Sequence, residues 1–273
     1  MNQDLHARFA ARRLASRAKH VSGFFALPNP WDIGGVRRLE RLGFRALAST
    51  SAGYAWSFGV DDTEVGLEQT LEHLRHLCEA TELPINADFE NDYADEPEQL
   101  AANVVRAAAT GVAGLSVDDL TDDHLYDTAF AAQRISAARQ ALDAVDPNII
   151  LVGRTEGFRI GRNDLHDTVE HLVAYAEAGA DCLYAPMITK DDQISTIVQA
   201  LAPKAVNVLF HGPGMTTERL TQLGVRRASV GSLLAKAAWL AFDEAASQLA
   251  SQRSLPAALF QPQAEAMLRR PTS

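Results

Sequence analysis

Cysteine is scarce in this chain of 273 residues: Cys78 and Cys182 are the only two. They match neither a metal-binding nor a disulfide framework, and their sparseness points to a reducing cytoplasm. No apolar run approaches the roughly 18 residues that a membrane span needs. Basic residues are outnumbered, 25 Lys and Arg against 35 Asp and Glu, for a net charge of −10. Such a chain does not suit nucleic acid or an anionic membrane as its main partner. The same deficit raises a problem for an anionic substrate, which would need a local cation to receive it. A Gly-x-Gly-x-x-Gly turn is also missing after the first candidate strand, where the chain reads "LPNPWDIGG". This weakens an open doubly wound nucleotide-binding sheet. No linker or composition shift divides the sequence.

What is present is one repeated phrase: helix end, glycine, apolar residue, short strand. It occurs at Gly43, Gly111, Gly179 and Gly224. Glycine just past a helix is the expected stop, because it enters the left-handed conformation without strain. The first three are evenly spaced, about two βα units of roughly 34 residues apart. Filling the gaps predicts strands at Phe24–Leu27, Ala46–Ser49, Pro84–Asp88, Gly114–Asp118, Ile149–Arg154, Asp181–Ala185, Val206–Leu209 and Arg227–Val230. Stretches with apolar residues at helical spacing lie between them. Eight alternating units predict a (β/α)8 TIM-type barrel spanning 1–273 as a single domain. Residues 1–20 read as an amphipathic N-terminal helix with a solvated basic face. Residues 232–270 read as C-terminal helices that pack on a neighbouring subunit.

Barrels of this kind carry their chemistry at the C-terminal ends of the strands. Strand two ends in "STSAG", where Ser49, Thr50 and Ser51 offer hydroxyl and backbone N–H donors for a carboxylate. Strand three ends in Asp88-Phe89-Glu90 and strand four in Asp118-Asp119. Strand five ends in "GRTEGFR", with Arg154 and Glu156, and strand seven runs from Asn207, a candidate substrate contact. On an extended chain Asp88 and Glu90 point to one side while Phe89 points away. Asp118 faces the same space from the adjacent strand. Carboxylates this close need a counter-ion, and an all-oxygen set suits Mg²⁺, or Mn²⁺, with Asp88, Glu90 and Asp118 as ligands. Arg154 supplies a fixed cation for a developing oxyanion. Asp95 reads as the cap of the next helix, and His73 and His76 as solvent-facing.

These motifs together, "STSAG…FGVDD", "PINADFENDY", "GVAGLSVDD", "LVGRTEGF" and "AYAEAGADCLYAP", resemble the isocitrate lyase/phosphoenolpyruvate mutase superfamily over nearly the whole chain. The resemblance implies a Mg²⁺-dependent enzyme acting on a small 2-oxo or 2-hydroxy acid through a pyruvate-type enolate. It also implies a homo-oligomer, dimer or tetramer, that swaps its last helix. By position, Asp88 becomes the direct metal ligand, and Asp62, Glu90 and Asp118 support the metal's waters. Ser49, Thr50 and Ser51 become the carboxylate cradle and Arg154 the enolate stabiliser. Asp62 enters on the resemblance alone, and with Arg154 and Glu90 completes the expected catalytic set.

Two departures shape the expected reaction. The Lys/Arg-Cys-Gly segment that follows strand four in the lyases is replaced by the acidic "DDLTDDHLYD", and "YAPMI" lacks the glutamate expected after strand six. Cleavage of isocitrate or methylisocitrate is therefore disfavoured. An acidic loop also repels a phosphonate dianion, which disfavours P–C chemistry. The expectation is a cytoplasmic C–C lyase or decarboxylase of a small oxo-dicarboxylate. P–C bond chemistry is the alternative, and a non-catalytic oxo-acid-binding barrel the second.

Overall fold

The computed structural model describes residues 3–121, 124–212 and 214–261. Two compact units divide the chain, Met1–Ser232 and Leu233–Ser273. In the first, helix α1 (Gln3–Val21) precedes strand β1 (Phe25–Leu27), α2 (Ile33–Arg41), β2 (Leu47–Ala48), α3 (Ser51–Trp56) and α4 (Leu67–Glu79). Then come β3 (Ile85–Ala87), α5 (Pro97–Ala108), β4 (Gly114–Asp118) and a small antiparallel pair, β5 (Leu120–Thr121) with β6 (His124–Leu125). The unit continues with α6 (Thr128–Val145), β7 (Ile150–Arg154), α7 (Leu165–Glu177), β8 (Cys182–Tyr184), α8 (Asp191–Leu201), β9 (Ala205–Leu209), α9 (Thr217–Gln222) and β10 (Arg227–Ser229).

Eight of these strands form one parallel sheet in the order β1-β10-β9-β8-β7-β4-β3-β2, a nearly closed (β/α)8 barrel. At the seam, the Ala48 N–H donates to Pro28 O at 3.1 Å. Buried Asn29 fastens the same seam from both sides. Its Nδ2 donates to Ser49 O at 2.7 Å, and its Oδ1 accepts from the Val230 and Gly231 amides at 3.0 Å. The glycine stops fall where the repeat places them: Gly43, Gly111, Gly179 and Gly224 have φ of 87°, 100°, 111° and 83°. Aspartates start several helices, with Asp127 accepting from Phe130 N at 3.0 Å and Asp164 from His166 N at 2.9 Å. The apolar faces of α4 to α8 pack on the outer faces of the strands around Leu47, Ile85, Leu115, Leu151 and Leu183.

Helix α1 departs from expectation. Its basic face is docked rather than solvated. Arg12 Nη1 donates to Cys78 O at 2.9 Å, Arg13 Nη2 to Ala108 O at 2.8 Å, and Arg17 Nη1 to Asp181 Oδ1 at 3.1 Å. Each guanidinium satisfies carbonyls or acids at helix ends and strand starts, a use that periodicity cannot distinguish from a wet surface. The second unit holds α10 (Leu233–Gln252) and a 3₁₀ turn at Ala257–Phe260; the rest of the segment expected to be helical, 262–270, lies outside the described residues. Large apolar side chains are exposed along this unit, among them Leu240, Phe242, Leu249 and Phe260. No helix among the described residues is long and apolar enough to cross a membrane.

Candidate active site

At the C-terminal mouth of the barrel, Asp88 is held from two directions. Arg154 Nη1 donates to its Oδ1 at 3.0 Å, while the Ser51 amide and hydroxyl donate to its Oδ2 at 3.1 and 3.2 Å. The Asp88 amide donates to Ser49 Oγ at 2.8 Å. Thus Ser49, almost fully buried, positions the backbone of strand β3, whereas Ser51 touches the carboxylate itself. Thr50 caps α3, its Oγ1 accepting from Gly53 N at 3.2 Å. Arg154 Nε also donates to Glu156, whose side chain is fully buried. Burial opposes the charge on Arg154, but Glu156 and Asp88 outweigh it and hold the guanidinium firmly protonated. Its charged group lies 5.3 Å from the Tyr184 ring centre.

Two adjoining clefts open here, with volumes of about 200 and 280 Å³. They share Ser51, Asp62, Asp88, Arg154 and Arg159. The second is the acidic one, with Glu90 and Asp118 added to the shared acids. Glu90 does not reach this basin by strand alternation as expected. Strand β3 ends at Ala87, and Glu90 adopts φ 56° in a turn, with Asp92 and Tyr93 also left-handed. The turn brings Glu90 to the acids that the extended geometry would have given it, while Phe89 is fully buried on the other side. Asp95 is not a helix cap either: Glu96 occupies that place without a side-chain bond, and Asp95 accepts from the Tyr126 hydroxyl.

Electrostatics mark the basin as strained. Burial, then the charges of Asp88, Asp62 and Asp118, push the Glu90 carboxyl up to about 8. Burial followed by Asp88 raises Asp62, against the opposing Ser51 and nearby arginines. Asp118 is also raised, by burial first and then Glu156 and Asp119, with Arg154 opposing. Asp62 Oδ1 is buried without a hydrogen-bond partner. The orphaned Asp62 oxygen, with the like-charged carboxylates of Asp88, Glu90 and Asp118 beside it, fits a hard divalent cation. No three His, Cys, Asp or Glu side chains among the described residues converge closely enough to chelate an ion directly. The set therefore fits Mg²⁺ in its usual manner, through one or two carboxylates with water completing the shell.

Asp119, His171 and Tyr175 carry no site signal in the sequence pattern. Asp119, at 1% exposure, accepts from the Glu156 amide at 2.9 Å through Oδ1. Its Oδ2 accepts from the Tyr175 hydroxyl at 2.5 Å and lies 3.1 Å from His171 Nδ1. His171 and Tyr175 stand one turn apart on α7, a spacing that also serves ordinary core packing. His73 is buried and stacked on Tyr54 at 3.6 Å, not solvent-facing, and burial lowers its pKa to about 4. Asn207 lies within the barrel, where it accepts from Arg227 Nε at 2.9 Å and donates to Ser229 Oγ at 3.0 Å. The acidic loop after β4 is the β5–β6 hairpin; its Asp122 and Asp123 lie outside the described residues.

This arrangement has relatives. An uncharacterized protein of Mycobacterium tuberculosis (strain ATCC 25618 / H37Rv) is 29% identical over 85% of this chain and 87% of its own. An oxaloacetate decarboxylase of Rhodopseudomonas palustris (strain BisB5) is 30% identical over 62% of this chain and 61% of its own. A Burkholderia cenocepacia J2315 crystal structure, provisionally described as a lyase/mutase, is 40% identical with TM-score 0.88, covering 91% of both chains. The phosphoenolpyruvate phosphomutase family profile matches residues 15–250. With that match over the whole barrel, the chain belongs to the phosphoenolpyruvate phosphomutase family, within the isocitrate lyase/phosphoenolpyruvate mutase superfamily.

Proposed function

We propose that the protein is a Mg²⁺-dependent lyase that breaks a C–C bond, by cleavage or decarboxylation, in a small 2-oxo or 2-hydroxy (di)carboxylate. The observation that carries this reading is the double hold on Asp88, by Arg154 on one oxygen and Ser51 on the other, at the edge of an acidic basin. Asp88, with Asp62, Glu90 and Asp118 around it, would hold the ion. When bound, the ion supplies Lewis-acid stabilisation of negative charge on a substrate oxygen.

The remaining work falls to the chain's own groups. Thr50, Ser51 and Ala52 line the cleft and offer polar contacts for the substrate carboxylate. Arg154 keeps a permanent positive charge where an enolate oxygen would develop, and its two acidic partners fix its orientation before substrate arrives. Relatives named oxaloacetate decarboxylase and 2-methylisocitrate lyase support carbon–carbon chemistry.

Incubation with Mg²⁺ and a panel of oxaloacetate, substituted malates and phosphonopyruvate, followed by NMR for pyruvate, tests the reading. A C–C substrate should turn over in wild type and not in Asp88→Ala. Equal activity of the two proteins would show that the site is misassigned, and turnover of phosphonopyruvate alone would replace C–C with P–C chemistry. Binding of 2-oxo acids without turnover would make the protein a binding barrel.

The exposed apolar residues of the second unit support docking onto a second copy of the chain, giving a homo-oligomer. Light scattering on a Leu240→Asp, Phe242→Asp variant should then show the protomer mass, against a multiple of it for wild type. A wild-type protomer mass would sink the idea.

A further inference from the structure

Barrel interiors of this type are ordinarily filled by layers of branched apolar side chains. Here one side of the interior is polar, with Asn86, Ser116, Asn207, Arg227 and Ser229 all placed inside and buried or nearly so. Arg227, at 3% exposure, begins β10 and reaches across the barrel. Its Nε donates to Asn207 Oδ1 at 2.9 Å and its Nη1 to Asn86 Oδ1 at 3.3 Å. Below it, His20 of α1 places Nε2 at 3.4 Å from the same Nη1. Because His20 Nδ1 faces the Ser16 carbonyl at 2.9 Å, Nδ1 carries the proton and Nε2 presents a lone pair. Burial, and then Arg227 itself, lower the His20 pKa to about 3, so the ring stays neutral.

Every partner of Arg227 is therefore a neutral acceptor, and no carboxylate among the described residues pairs with it. A buried guanidinium without a counter-charge is costly, since neutral dipoles replace only part of its hydration. The other arginines near the mouth are committed: Arg154 to Asp88 and Glu156, Arg159 to Glu156, and Arg162 to Asp167. Yet Arg227, Asn86, Ser116 and Ser229 line the same cleft as Ser51, Asp88 and Arg154. The cavity thus runs from the acidic mouth into a polar shaft whose one uncompensated charge, among the described residues, is positive.

We propose that this shaft is an anion subsite, in which Arg227 receives the distal carboxylate of a dicarboxylate whose 2-oxo or 2-hydroxy acid end sits at the mouth. The inference rests on the functional reading above and narrows its substrate class to dicarboxylates. It also answers how a chain of net charge −10 draws in a dianion: an attractive charge is concentrated in a low-dielectric interior, where Coulomb forces are weakly screened. Asn207 and Asn86 act as positioning residues that hold the planar guanidinium across the barrel.

The test is calorimetric binding of 2-hydroxybutyrate and malate in Mg²⁺, a pair of four-carbon acids that differ in a terminal methyl against a terminal carboxylate. Wild type is expected to bind malate at least tenfold more tightly. Arg227→Gln should abolish that preference and leave 2-hydroxybutyrate within about twofold of wild type, with folding verified by circular dichroism. Arg159→Gln should retain the preference. Equal affinities in wild type, or a preference that survives in Arg227→Gln, would overturn the subsite. Loss of the preference in Arg159→Gln would move the distal carboxylate to Arg159 and overturn it equally. Should Arg227→Gln not fold, the wild-type and Arg159→Gln arms still decide. Binding of 2-hydroxybutyrate with no gain for malate defeats this inference alone. Failure of both acids to bind wild type defeats the functional reading and the subsite with it.

Discussion

Arg154 Nη1 and Asp88 Oδ1 lie 3.0 Å apart across neighbouring parts of the barrel mouth, while Arg154 Nε is held by the buried Glu156. One planar guanidinium thus bridges two carboxylates in fixed directions, which an ammonium cannot reproduce. Arg154→Lys is expected to keep the fold and lower kcat by about 10²–10³, the usual cost of losing an oriented oxyanion donor. Steady-state kinetics on whichever acid of the panel turns over check this; a kcat within a fewfold of wild type would remove Arg154 from the chemistry.

The Asp119 carboxylate supports that bridge from behind, accepting from the Glu156 amide and the Tyr175 hydroxyl. Tyr175→Phe removes one buried donor to a charged acceptor, and stability should fall by about 1–3 kcal/mol. Urea unfolding monitors the loss. No change in the midpoint would mean that Asp119 is satisfied by His171 alone.

Stability should depend on pH through Glu90. Its native carboxyl titrates at about 8, well above an unfolded glutamate, so between the ordinary carboxylate range and pH 8 the native state binds more protons. Stability is accordingly greatest at the acid end of that window and declines as pH rises through it. Bound Mg²⁺ favours ionised carboxylates, so it should restore the melting temperature most at the alkaline end. Melting scans from pH 5 to 8.5, with and without Mg²⁺, read both effects. An apo protein that gains stability over this range would contradict the assignment, as would a Mg²⁺ effect that shrinks with pH.

Asp92 is fully buried, left-handed at φ 63°, and neither of its carboxylate oxygens has a partner. Burial drives its pKa well above the usual carboxylate range. Asp92→Gly relieves both the backbone strain and the unsatisfied group, and should stabilise the protein by about 1 kcal/mol. A lower melting temperature for this variant would show that the carboxyl fills a need in the fold that the other contacts do not reveal.

The elements repeated along the chain were legible because their signals are local. A glycine at positive φ ends four of the units, after α2, α5, α7 and α9, and apolar spacing separates strand from helix, so all eight strand positions could be read to within a residue or two. The carboxylates at the mouth were legible for the same reason: in a barrel, the residue ending a strand is already at the active face. Glu90 was placed in the basin for a reason the turn does not share, since alternation stops where the strand stops.

Long-range contacts decided the rest. Arg12, Arg13 and Arg17 read as a wet face until the barrel supplied carbonyls and Asp181 at the right distance. Tyr175 and His171 look like core residues on α7 until β4 brings Asp119 beside them. Arg227 is one more arginine in "GVRRAS" until strand closure turns it inward onto Asn207 and Asn86. Sequence alone determined the strand–helix alternation, the family and the acidic rim, because each follows from neighbours along the chain. Tertiary structure alone decided which charges are paired and which are left uncompensated, because that depends on groups far apart in sequence meeting where water is excluded.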